Sequence, residues 1–198
     1  DKSQGGIAER LYSGYGANCT GVPSNLVKFE QAVSERTKRN MQYVKEHEKD
    51  LPPRTISIRL QKWDNFLSEA KREGSDLIWY ADESKERGGE EKGASPLSYF
   101  LSSMGFCQLV HYSEHSMVDG SNIDALEMKV DGKIVMQKPR RFTDVTYEVR
   151  LSSRESDATI KDLARKAAED CYVTNTLKRA CNVTGVIFHN GKQIDEHR

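Results

Sequence analysis

A chain of 198 residues can bury one substantial hydrophobic core, and its thirty Lys plus Arg against thirty Asp plus Glu leave no formal net charge. That balance, without a long basic run, argues against nucleic acid or an anionic membrane surface as a partner. Apolar stretches are too short to cross a bilayer and the opening DKSQGG has no basic segment followed by an apolar one, so a soluble cytoplasmic protein is expected.

Residues 1 to 25 are rich in Gly, Ser and Asn, whereas 26 to 49 set Leu26, Phe29, Val33 and Met41 among charges, as a solvent-facing helix does. Pro52 and Pro53 stop it, so 1–53 reads as a helical extension packed on a main domain, 54–198. From Thr55 the period becomes two, with Ile56, Ile58 and Leu60 on one side, which predicts a half-buried strand. Strands are predicted next over 65–72 and 76–81, divided by the turn at Glu73-Gly74-Ser75, and then a mobile charged loop over 82–94. Ser95-Pro96 supplies a cap and a first helical residue. The helix that follows runs to about His115, and its apolar residues cover nearly every side, so it is expected to be buried centrally. Strands over 122–130 and 133–137, joined by a hairpin at Asp131-Gly132, precede a strand over 142–151. Ile160, Leu163, Ala164, Ala167 and Cys171 repeat at helical spacing, a short turn begins near Thr176 and Leu177, and 183–189 is the last predicted strand. Strands, helix, strands, helix, strand make an α+β domain with two main helices.

The four cysteines include no Cys-x-x-Cys pair, which fits neither a dense disulfide framework nor a zinc ribbon. The Asn-x-Thr triplets at Asn18 and Asn182 matter only in a secreted protein and are given no weight. Cys107 and Cys171 each fall on the apolar face of a predicted helix, where a cysteine is most often a small hydrophobic residue. The helices differ, however, and both must pack on one sheet if there is one core, so the two thiols could meet.

At these residues the sequence resembles the OsmC/Ohr family of thiol-dependent hydroperoxide reductases. Ser95-Pro96, an apolar helix and Cys107 eleven residues after the proline match one family pattern. Ala168-Glu169-Asp170-Cys171-Tyr172-Val173-Thr174-Asn175-Thr176-Leu177 matches the second, with Tyr172 in place of a proline. Asp82, Gly88-Gly89 and Gly93 to Pro96 resemble the family loop, so the likeness spans roughly residues 55 to 190. The resemblance implies an OsmC-like fold in an intertwined homodimer, with central helices back to back and active sites at the subunit interface. It implies that Cys107 attacks an organic or fatty-acid hydroperoxide and becomes a sulfenic acid, which Cys171 resolves as a disulfide. A small dithiol such as a lipoyl group would reduce that disulfide, with no metal or organic cofactor.

The family also presents a glutamate just after the helix-opening proline, where this chain has Leu97 and Ser98, and an arginine, for which Arg72 and then Arg59 are the candidates. Cys107 lies about three turns into its helix, too deep for the dipole to lower its pKa, so a neighbouring cation is needed. Cys107, His111 and His115 share a face at spacing four, which admits an imidazole activating the thiol, three metal ligands, or two histidines hydrogen-bonded near a solvated helix end. The last reading is preferred for His115, while His111 is kept as a candidate activator. Cys181 reads as structural, Cys19 as exposed, and Trp63, Trp79 and Tyr80 as core in preference to a substrate pocket. The leading function is therefore hydroperoxide reduction in oxidative-stress defence; the alternatives are an OsmC-like ligand-binding protein with weak or no peroxidase activity, and a metal-binding protein.

Overall fold

The computed structural model describes residues 24–180 and 182–197, with side chains from Ser34 onward. The readings of Asn18, Cys19 and Cys181, and of the side chains of Leu26, Phe29 and Val33, lie outside the described residues. Helix α1, Ser24–His47, ends before the two prolines in a turn where the amides of Asp50 and Leu51 both reach the His47 carbonyl. Its C-terminal part packs on the long central helix.

Strands β1, Ile58–Asp64, β2, Leu67–Arg72, and β3, Ile78–Ala81, form an antiparallel meander in that order. Alternation predicted that β1 would be half buried, yet every residue of it is exposed, Leu60 at 73% and Trp63 at 60%. The physical reason is that, among the described residues, no second layer packs on this sheet. It is tethered to the rest by a bridge between Ala81 and Ala94 and by the Tyr99 hydroxyl, which donates to the Tyr80 carbonyl at 2.6 Å. Trp63 and Tyr80 are accordingly not core residues of a single copy.

The segment after β3 is not the mobile loop that its charges predicted. Asp82 is 3% exposed, and its carboxylate accepts the amides of Glu83, Glu90 and Lys92 at 2.8, 3.1 and 3.1 Å. The Lys92 amide above all holds this carboxyl below the usual range. Helix α2, Pro96–Asp119, follows, with the Ser95 hydroxyl accepting the Ser98 amide at 3.2 Å. It runs one turn past His115 because Gly120, at φ 72°, supplies the left-handed residue that ends it.

Strand β4 is a single element, Ala125–Val135, which overturns the hairpin expected at Asp131-Gly132. Gly132 is there for space: a Cβ would strike the Phe142 ring and the Leu101 side chain. The chain reverses instead over 136–140, where Lys138-Pro139 is cis, into β5, Arg141–Ser152. Helices α3, Asp157–Asp170, and α4, Tyr172–Leu177, form the crossover to β6, Asn182–His189, which pairs parallel with β5. A seventh strand, β7, Lys192–His197, was not expected; it follows a turn in which Asn190 and Gly191 both take positive φ. The second sheet thus has the order β4-β5-β6-β7.

One face of this sheet carries the core of the α+β fold. Val145, Val149, Leu151 and Ile187 meet Ile160 and Leu163 of α3 and Met104 and Tyr112 of α2. Helix α2 buries only the face bearing Met104, Gly105, Gln108, Tyr112 and His115. Its other face leaves Phe106 65% and Val110 55% exposed in one copy.

Candidate functional site

The α3–α4 junction brings the two sequence-predicted cysteines together. Cys171 is the extended residue between the helices, fully buried, and ends α3 while capping α4. Cys107 comes from the middle of α2 and is half buried. Both thiols are free, and the Cys107 sulfur lies near enough to Cys171 and to the Tyr172 and Val173 amides for each to act on its titration. Burial still pushes the Cys107 thiol above its ordinary range, and the Cys171 sulfur adds to the rise. Tyr172, where the family has proline, is 79% exposed.

Behind the cysteines lies a buried polar chain that sequence reasoning missed. Thr174 donates to the Cys171 sulfur from both its hydroxyl, at 3.1 Å, and its amide, at 3.4 Å. The Gln108 amide nitrogen donates to the Thr174 hydroxyl at 2.9 Å, and the same side chain lies near enough to Tyr147 to draw its phenol down in part. The Tyr147 hydroxyl meets Nδ1 of His197 at 2.9 Å. Burial pushes the Tyr147 phenol up to about 12 and the His197 imidazole down. A signal did exist in the sequence: Gln108 is a lone amide in an apolar helix, directly after Cys107.

The histidine stripe separates. Nδ1 of His111 faces Glu114 at 2.8 Å, and its ring lies 6.1 Å from that of Tyr172. Nε2 of His115 meets Asp170 at 2.8 Å, tying α2 to the end of α3, so it has the structural role preferred for it. Among the described residues no group of three His, Cys, Asp or Glu is placed to hold a metal ion.

Arg72 is not brought to the thiols by its own chain. It sits at the end of β2 that pairs with Ile58, whereas the tether to α2 is at the opposite end, where Ser68 pairs with Ala81. Four residues of strand separate the two ends by roughly 13 Å. Arg59 is exposed and ion-paired with Glu73 at 3.2 Å. Beside Cys107, on the open face of α2, lies an apolar groove of about 480 Å³ lined by Phe106, Leu109, Val110, Met117 and Glu114, with Thr37 of α1 at its edge.

Residues 89–185, which contain both cysteines and the polar chain as far as Tyr147, match the family model described as OsmC-like protein. No curated protein matches the chain. Similar solved structures include an OsmC-like protein from Mycoplasma pneumoniae, 19% identical, with a TM-score of 0.60 over 70% of this chain and 100% of that one. An organic hydroperoxide resistance protein from Elizabethkingia anophelis is 16% identical, with a TM-score of 0.56 over 70% of this chain and 99% of its own. A third, an organic hydroperoxide resistance protein from Legionella pneumophila, is 14% identical, with a TM-score of 0.54 over 70% and 99%. At these identities the likeness is one of fold.

Proposed function

Because this chain belongs to the OsmC-like family, we propose that it is a thiol peroxidase that reduces organic or fatty-acid hydroperoxides in oxidative-stress defence, with Cys107 attacking and Cys171 resolving. The observation that carries the reading is that the fold draws together two cysteines far apart in sequence, close enough for one to shift the titration of the other, one half buried and one sealed. The Cys107 thiolate attacks the distal peroxide oxygen, the O–O bond breaks, and the departing alkoxide takes a proton to become the alcohol. Cys171 then attacks the Cys107 sulfenic acid; an S–S bond forms, the S–O bond breaks, and the hydroxyl leaves with a proton as water. A dithiol such as a lipoyl group returns the pair to the reduced state.

The working unit in this proposal is a homodimer. The exposed face of α2 and the uncovered β1–β3 sheet are the apolar surfaces that a second copy would bury. Arg72 would then act from the second copy, since its own chain holds it away from Cys107, and His111, fixed by Glu114, is the local candidate for activating the thiol. Hydroperoxide consumption in the presence of dihydrolipoamide, with thiols counted before and after one equivalent of cumene hydroperoxide, tests the reading. Loss of two thiols and catalytic turnover support it.

One observation favours a second reading, an OsmC-like ligand-binding protein with little peroxidase activity. Burial raises the Cys107 thiol, while Arg59 is ion-paired with Glu73 and Arg72 sits at the end of β2 away from the tether to α2. Reduced protein that consumes no hydroperoxide with any dithiol would establish that alternative over the first.

A further inference from the structure

Of the two sulfurs, only Cys107 can be approached from outside, because Cys171 is completely buried. Only Cys171 receives a side-chain hydroxyl and an amide from one residue, Thr174, itself fully buried. The Thr174 hydroxyl is not free to turn elsewhere. Its oxygen accepts from the Gln108 amide, which leaves its own proton for the sulfur. Gln108 is itself fully buried, near Tyr147, whose hydroxyl meets Nδ1 of His197 at 2.9 Å. Hydrogen bonds donated to a sulfur favour the thiolate over the thiol, and a sulfur that is stable as thiolate is the better leaving group in disulfide exchange.

We propose that Thr174, aimed by Gln108, makes Cys171 the leaving sulfur when the Cys107–Cys171 disulfide is reduced. The inference rests on the pair being a redox couple, as above. A thiolate of the small dithiol attacks the Cys107 sulfur and forms a mixed disulfide there. The Cys107–Cys171 bond breaks, and its electron pair goes to Cys171, which is held as thiolate by the two Thr174 donors. The second thiol of the reductant then attacks the mixed disulfide, leaves as the oxidised cyclic dithiol, and releases Cys107 reduced. Thr174 touches a reacting sulfur and is catalytic in this step; Gln108 is a positioning residue.

The test needs no hydroperoxide. The full chain is oxidised with diamide and the Cys107–Cys171 bond is identified by peptide mapping; failure to form that bond overturns the proposal. Reduction by dithiothreitol is then followed for the parent, Thr174→Val and Thr174→Ser. The hydroxyl acts on a charged sulfur, so its loss in Thr174→Val is expected to slow reduction by about 10-fold, and Thr174→Ser to restore it. Thiolate absorbance at 240 nm in a Cys107→Ser background, taken as the part lost when Cys171 is also replaced, should move to higher pH with Thr174→Val and Gln108→Leu. A purely structural role would move neither. Should the valine variant not fold, the parent protein still decides: brief exposure of the disulfide to glutathione, quenched in acid, must leave glutathione on Cys107. Glutathione on Cys171, or an unchanged rate and titration in Thr174→Val, overturns the proposal. Loss of peroxide turnover with Thr174-dependent exchange intact would sink the peroxidase reading alone, and the reverse result would sink this one alone.

Discussion

The β1–β3 meander and the α2–α4 region are built from similar amounts of apolar sequence but meet opposite fates. In the first, Ile58 and Leu60 alternate as a buried strand should, yet they and Trp63 are exposed. In the second, a glutamine, a threonine and two tyrosines are sealed among Met104, Val145 and Leu163. The difference teaches that apolar pattern records which side of an element must be covered, whereas the covering partner can be another copy of the chain. Buried polar groups, by contrast, mostly find partners, and the Cys171–Thr174–Gln108–Tyr147–His197 cluster leaves two of its atoms without a hydrogen bond, Oε1 of Gln108 and Nε2 of His197, in addition to the Tyr112 hydroxyl.

Four experiments press on that contrast. Cys107→Ser should abolish hydroperoxide turnover with dihydrolipoamide, while Cys171→Ser should keep one oxidation by one equivalent of peroxide and then accumulate over-oxidised Cys107, as read by mass spectrometry. Full turnover in the Cys107 variant would move the chemistry away from the buried end altogether. Phe106→Asp, on the open face of α2, should convert a sedimenting dimer into monomer at micromolar concentration, because it places a charge where apolar cover is expected. An unchanged sedimentation coefficient would mean that another surface, or none, supplies the cover.

The third concerns pH. With the Cys107 thiol raised by burial and by the Cys171 sulfur, its thiolate is scarce at neutral pH and grows as pH rises. Iodoacetamide modification of Cys107 should therefore accelerate by roughly tenfold per unit from pH 7 to 9. A rate already at its plateau at pH 7 would show that a cation from outside the chain has reversed the shift. The smallest effect is the most direct comparison of the two regions. Leu163→Ala, in the core, should cost about 2–5 kcal/mol in urea unfolding, whereas Leu60→Ala in a dissociated copy should stay within about 0.5 kcal/mol. A Leu60 cost that appears only at high protein concentration would identify the meander as an interface.

Much of the fold was legible. Ser95-Pro96, the period of α3 and the alternation of β5 are local signals, and the elements formed where those signals fell. The errors were also local in origin. Asp131-Gly132 reads as a turn by composition, but Gly132 was needed for clearance from Phe142, a contact no window of sequence displays. Asn190-Gly191 was a true turn signal that was passed over, and β7 was lost with it. The loop at 82–94 was read from its charges as mobile, although one buried carboxylate organises it.

For the site, the sequence by itself determined the two cysteines, their order and the helix that carries Cys107, because spacing along a helix is fixed by its 3.6-residue repeat; Cys171, expected on the helix face of Ile160 to Ala167, stands instead as the extended residue after that helix ends. Only the tertiary structure decided which neighbours they have. His111 turns to Glu114 and His115 to Asp170 instead of closing on Cys107, and Arg72 stays at the far end of a separate sheet. Gln108, Thr174, Tyr147 and His197, spread over ninety positions of the chain from residue 108 to 197, converge behind Cys171. Convergence of that kind depends on the packing of α2 and α4 on the β5–β6–β7 sheet, which is set by the shape of the whole core and is not encoded in any one segment.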